Sequence, residues 1–210
     1  AWLAILFGLF IFLLMQNVWG CAAHPCLLIQ ASDIPSLQAK AASSGTLSRT
    51  YFDRLYNGAV SFELSSGTAS RSGARATDMA LRCALTPNTT NCDPAKYYLV
   101  PNASSSNSNV LDDLTASAVA SEAGYSRGAR LMAPVLIADL LWNVQVSGTP
   151  VLSASEKAQL VARFESFLSV LDDLDAQDAT DNFSGSLQAA AMATYIFLKN
   201  NNSSISSTTL

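Results

Sequence analysis

The segment 126–143, SRGARLMAPVLIADLLWN, is apolar on nearly every helical face. A helix of that kind has to be covered by partners on both sides. Two amphipathic segments downstream offer such faces. The first begins at Ser153 and sets Leu160, Phe164, Phe167, Leu168 and Leu171 on one stripe of a 3.6-residue helix. Its start, Ser153-Ala154-Ser155-Glu156, has the spacing of a capping box, in which each end satisfies a backbone donor of the other. The second repeats the stripe with Leu187, Ala190, Ala191, Thr194, Tyr195 and Leu198. Residues 125–198 therefore organise the chain, and the simplest arrangement that covers the middle helix is a stack of antiparallel helical hairpins.

The upstream half predicts more of the same, so the expected fold class is all-α with about seven helices. Residues 24–29 read as a short extended run, because the residue before Pro25 disfavours helix. Ser32 and Asp33 cap a helix with Pro35 in its first turn, and Gly45 stops it. A second helix is expected over 46–57, with Leu47, Tyr51 and Leu55, joined by Phe52, on its buried side. Residues 63–73 read as a Ser/Gly-rich loop. A helix follows over 74–85 with Ala76, Met79, Ala80 and Cys83 along one face. Residues 86–109, with two prolines and a serine run, read as the longest irregular stretch. Helix returns over 111–123 and ends at Gly124. No strand pattern of any length competes.

Composition narrows the function classes. A chain of 210 residues that is 50% hydrophobic can bury one sizeable core. Charged residues are only 13%, the net charge is -4, and no Lys/Arg cluster occurs. That excludes a general nucleic-acid binder and a polybasic membrane patch. An anionic substrate would have to be met by local groups, since no overall field attracts it.

The first fifteen residues, AWLAILFGLFIFLLM, are uncharged and apolar. We read residues 1–23 as a signal peptide or N-terminal anchor, 24–200 as one helical domain and 201–210 as a polar tail. Cys21-Ala22-Ala23 offers the small residues a signal peptidase accepts, while Val18-Trp19-Gly20-Cys21 loosely resembles a lipobox. The expected destination is secreted or periplasmic, with membrane contact only through the leader if it is uncleaved or lipidated. Cys83 and Cys92 bracket a turn-rich ALTPNTTN loop, which predicts a disulfide. Cys21 and Cys26 remain open between pairing, lipidation and free thiols. With one His and no CxxC, no metal site or cofactor is expected. Asn88, Asn102, Asn182, Asn201 and Asn202 each begin a glycosylation triplet.

The segment HPCLLIQASDIPSLQAKAASSG resembles the beginning of bacterial polysaccharide lyases, where a His-Pro-x-Leu-Leu run precedes an acidic-capped helix. The ALRCAL, APVLIADLLWN, SEKAQLVARFESFL and DNFSGSLQAAAMATYIFL segments follow in the order such lyases show. The resemblance is to the heparinase II/III and alginate lyase superfamily, and it spans nearly the whole mature chain. It implies an arc of an incomplete (α/α) toroid and an acidic, uronate-containing polysaccharide as partner. The implied chemistry is β-elimination: a base removes the proton beside the carboxylate, and the developing charge must be held. The chain would be the N-terminal portion of the lyase, inactive as it stands, because the family's Tyr or His base falls further downstream.

The resemblance assigns the carboxylate-neutralising role to Asn182, in Asp181-Asn182-Phe183-Ser184. The family commonly has Asn-Asn-His there, so Phe183 removes a His that assists the base. The same Asn182 reads equally as a helix N-cap. Tyr125, Arg127 and Arg130 could meet a substrate carboxylate, or Tyr125 could staple its helix while the arginines stay solvated. Trp142 could stack on a sugar ring or fill a core position. Asp172, Asp173, Asp175 and Asp178 lack EF-hand spacing and read as a solvated helix end. His24 reads as a structural or terminal residue.

Overall fold

The computed structural model describes residues 23–56, 69–102, 108–115, 124–178 and 184–201. Residues 1–22, expected to be a leader, and 202–210 lie outside them. The described chain is helical apart from one small hairpin. A 3-10 turn, Ala31–Asp33, leads into α1, Ile34–Ala42, with Pro35 in its first turn. Helix α2 is Leu47–Arg54, with the Thr46 hydroxyl accepting from the Arg49 amide at its start. Then come α3, Ala69–Leu85, α4, Thr89–Leu99, and a single turn α5, Val110–Asp113. Helix α6 is Gly124–Leu141, followed by strands β1, Gln145–Val146, and β2, Thr149–Pro150. Helices α7, Ala154–Asp178, and α8, Ser184–Asn200, complete the order. None of the described helices is long and apolar enough to cross a membrane.

The all-round apolar helix is the centre of the packing. Helix α6 lies against α3 and α4 on one side and against α8 and α7 on the other. Consecutive helices also pack as pairs, α3 on α4 and α7 on α8. Leu131, Val135, Ile137, Ala138, Leu140 and Leu141 of α6 are buried. The expected stripes face them: Leu160, Phe164, Phe167 and Leu168 on α7, and Leu187, Ala190, Thr194 and Leu198 on α8. The capping box at the start of α7 is formed in both directions. The Ser153 amide donates to Glu156 at 2.7 Å, and the Glu156 amide donates to the Ser153 hydroxyl at 3.2 Å.

Four sequence expectations need correction. The stretch 86–109 is not one loop, because residues 89–99 form α4. The Asn88 side chain caps it by accepting from the Asn91 amide, and the Cys83–Cys92 disulfide pins its first turn at a Cα separation of 4.7 Å. Cys92, Ala95 and Leu99 then bury one face, so tertiary contact overrides the weak helix formers Thr, Asn and Pro94. The loop over 63–73 ends sooner than its Ser/Gly content suggests, since α3 already begins at Ala69. Helix α2 buries Phe52, with Leu47 69% and Tyr51 57% exposed. The guanidiniums of Arg49 and Arg82 lie 5.4 and 4.6 Å from the Phe52 ring centre, and Arg82 also donates to the Phe52 and Leu55 carbonyls. These contacts turn Phe52 inward. Of the helix expected over 111–123 the described part is the single turn α5, residues 116–123 lie outside the described residues, and Gly124, expected to end it, belongs to α6.

The connection after α6 also carries structure that short-range patterning missed. Gln145 pairs with Pro150 and Val146 with Thr149 across a two-residue turn. Ser147 and Gly148 have φ of 51° and 81°, the positive pair that a hairpin of this length needs. Strands of two residues are too short to show alternation.

Two contacts give tests of this packing. A Cβ placed at Gly73 on α3 would lie 2.6 Å from the Ala133 Cβ on α6 and 3.1 Å from the Tyr98 hydroxyl. Ala133 is anchored to backbone and cannot yield cheaply. Gly73→Ala is expected to lower unfolding stability by about 1–3 kcal/mol in chemical denaturation, despite the better helix propensity of Ala.

The second contact ties α4 to the start of α7, where Lys96 and Glu156 approach to 3.0 Å. Partial burial alone would raise the Glu156 carboxyl, but its hydrogen bonds from Ser153 and Lys96 outweigh that and hold it below the ordinary 4.5. A folded-state value below the unfolded one adds stability above the unfolded value, lost as pH falls through the folded one. Glu156→Gln should therefore be less stable than the parent at pH 7. The gap should close as pH drops below 4.5 in paired denaturation curves; a gap independent of pH would refute the assignment.

Candidate functional site

Asp139 is the one acid in α6, in its apolar C-terminal half, and it is completely buried. A carboxylate in that position has to be saturated with donors. They come from the segment before α1. The His24 Nδ1–H donates to Asp139 Oδ1 at 2.5 Å, and the amides of Cys26 and Leu27 donate to Oδ2 at 2.8 and 2.9 Å. The His24–Pro25 peptide is cis. On the far side of the imidazole, Asn201 Nδ2 lies 3.2 Å from Nε2 and also donates to the Phe197 carbonyl at 2.8 Å. Asn143, just beyond α6, donates to the His24 carbonyl at 3.1 Å.

Aromatic rings enclose this pair. The His24 ring centre is 5.0 Å from that of Phe197 and 5.6 Å from that of Trp142. Trp142 meets Phe197 edge-on at 4.9 Å, and Phe197 meets Phe164 edge-on at 5.4 Å. Only 7% of His24 is exposed. A His–carboxylate pair is half of an acid–base relay, but here Nε2 faces an amide and not a hydroxyl, and the ring is enclosed. The arrangement binds three parts of the chain together: the His-Pro segment, α6 and the end of α8.

Beside the pair lies a pocket of about 280 Å³, walled by Pro25, Ile34, Leu140 and the amides of Gln38, Asn143 and Gln145. Its Gln38 Nε2 is spent on the Ala84 carbonyl at 3.2 Å. An apolar floor with a few amides suits a small neutral, hydrogen-bonding group. A second, shallower recess of about 370 Å³ lies between Pro101, Leu111, Gln159 and Arg163. Arg163 donates into it to the Leu111 carbonyl.

Of the residues singled out from sequence, Trp142 stands at this site, as part of the aromatic wall around His24. Asn182 lies outside the described residues. Tyr125 and Arg127 stand on the first turns of α6, with side chains outside the described set. Arg130, one turn further on, is buried with 5% exposure, so the solvated alternative does not apply to it. It lies close enough to Tyr98 for its charge to act on the phenol, whose burial pushes it well above its ordinary value. Trp142 is 9% exposed, and Lys157 Nζ lies 5.1 Å from its ring centre, so its surfaces are already taken up by the core. Asn201 spends its amide on His24 and Phe197, which leaves no free group for a glycan.

The site that does form was partly legible. His24 was read as structural, which its burial matches, but Asp139 was passed over. Its signal was chemical: an unpaired acid inside an apolar helix demands a partner, and the chain has one His. Cys26 Sγ also lies 3.6 Å from Asp139 Oδ1. His24, Cys26 and Asp139 thus bring three possible metal-ligand atoms within 4.8 Å of one another. Cys26 is disulfide-bonded, so it offers no thiolate and no proton in this state.

Because Asp139 has three donors aimed at it, Asp139→Asn turns an amide N–H2 toward at least one of them. The expected loss is about 3–5 kcal/mol of unfolding stability, the range for breaking a buried pair. Asn143→Ala, which removes only the bond to the His24 carbonyl, should cost about 1 kcal/mol in the same denaturation assay.

No family model, curated protein or solved structure matches the chain.

Proposed function

We propose that this chain is a helical segment of a secreted polysaccharide lyase that cleaves a uronate-containing polysaccharide by β-elimination. Its helices would form an arc of an incomplete (α/α) toroid, with the apolar leader directing export. One observation carries the reading: the segments that resemble the lyase family converge on one contact. The His24-Pro25 motif, the APVLIADLLWN helix and the last helix meet at the His24–Asp139 pair. In this reading the pair is the clasp that fixes the helical layers, and the chemistry lies elsewhere. His24 is not the base, since its Nε2 faces the Asn201 amide and the ring is enclosed. Asn182, next to the start of α8, would neutralise the substrate carboxylate, with Tyr125 and Arg127 on α6 meeting the chain.

The competing reading is a non-catalytic helical scaffold or glycan-binding module. The burial of Trp142 favours it, because it removes one expected sugar-stacking surface.

The test uses a secreted protein containing this chain and a panel of acidic polysaccharides, read by absorbance of the unsaturated uronate product. Cleavage is expected, and Asn182→Ala should lower turnover by about 10²-fold or more, as for loss of a transition-state donor. Full activity in Asn182→Ala removes its assigned role. Retention of a polysaccharide without cleavage supports the binding module instead.

A further inference from the structure

We infer that reduction of the disulfide at Cys26 converts the His24–Cys26–Asp139 cluster into a binding site for a zinc-like divalent transition-metal ion. The inference is independent of the lyase reading. It departs from the sequence expectation of no metal site, which counted histidines and CxxC spacings and could not see Asp139 beside them.

One edge already matches that of a tetrahedral site, a second is short of it, and the third, His24 to Cys26, lies within 4.8 Å. Zinc bonds of about 2.3 Å to sulfur and about 2.0 Å to oxygen separate the two ligand atoms by about 3.6 Å. Cys26 Sγ and Asp139 Oδ1 are 3.6 Å apart. His24 Nδ1, at 2.5 Å from the same oxygen, has to withdraw by about 0.8 Å to reach its own edge of the tetrahedron.

The outer shell is also in place. Both Asp139 Oδ2 bonds come from backbone amides, which orient the carboxylate and leave Oδ1 toward the other two ligands. Asn201, at 3.2 Å from Nε2, can present its amide oxygen to an Nε2–H once Nδ1 is bound to metal. Three protein ligands leave a fourth position for water. Cys26 is only half-buried, so a reductant and an ion can approach from its side.

The chemistry balances as follows. A dithiol or a phosphine supplies two electrons, the S–S bond breaks, and two protons complete the thiols. Metal binding then displaces the Cys26 thiol proton and the proton held between His24 and Asp139, so binding weakens as pH falls. The oxidised protein offers two of the three ligands at most.

Cobalt(II) is the probe, added anaerobically to the intact protein before and after reduction with a water-soluble phosphine. A thiolate-to-cobalt charge-transfer band, with the strong visible bands of a tetrahedral site, is expected only after reduction. Zinc should displace the cobalt and raise the melting temperature of the reduced protein alone. Cys26→Ser should abolish the charge-transfer band. Cys21, Cys83 and Cys92 are still present in that variant, so a band that persists comes from one of them and overturns the inference. His24→Gln should weaken binding by at least the roughly tenfold that losing even an outer-shell partner costs. Unchanged affinity in a folded His24→Gln protein overturns the triad. Should that variant not fold, the Cys26→Ser comparison decides alone. No thiolate–cobalt band in the reduced parent, or equal binding by the oxidised one, is likewise fatal.

Discussion

The buried carboxylate of Asp139 is the constraint on which the described structure depends. An acid on the inner face of an apolar helix is tolerated only when donors converge on it. Three do, all from residues 24–27, more than a hundred positions away in sequence. The need to satisfy one side chain therefore decides where the chain begins its path over the helices. Through the other face of the imidazole, the same need reaches Asn201 at the end of α8. First and last described segments are thus held by one side chain of the middle helix.

Much of the helical framework was legible because its signal is periodic. The stripes of α7 and α8 are long enough for a 3.6-residue repeat to stand out, and most of their described members are buried, although Tyr195 is half-buried, Phe197 is buried off the stripe and the Leu171 side chain lies outside the described residues. The capping box at Ser153 is a local chemical device, readable from four letters. Where the reading failed, the deciding force was not local. Residues 89–99 are poor helix formers, held in a helix by a disulfide at one end and buried Ala95, Tyr98 and Leu99 along one face. In α2 the arginine stacking on Phe52 comes partly from α3, so the helix alone could not say which side faces in.

The candidate site was harder to read for a similar reason. His24 and Asp139 are 115 residues apart, and nothing in either neighbourhood names the other. The residues chosen instead were those whose types suit sugar and carboxylate chemistry. Two of them, Arg130 and Trp142, turn out to be buried. Long amphipathic side chains near the end of an apolar helix serve a core as readily as a groove. Residue type named the right chemistry for a surface, and packing put the side chains elsewhere.

The charges on the central helix have a consequence beyond folding. Helix α6 is 18 residues long and mostly Ala, Leu, Val, Ile and Met, close to the length that spans a bilayer. An extended or partly folded chain carrying such a segment could bury it in lipid and never recover it. Arg127, Arg130 and Asp139 stand against that outcome, each adding up to about 3 kcal/mol to insertion near mid-membrane. In the finished protein the aspartate is hydrogen-bonded by a histidine 115 residues away in sequence. Before that contact exists, the bare charge keeps the helix in water, where its proper partners are found.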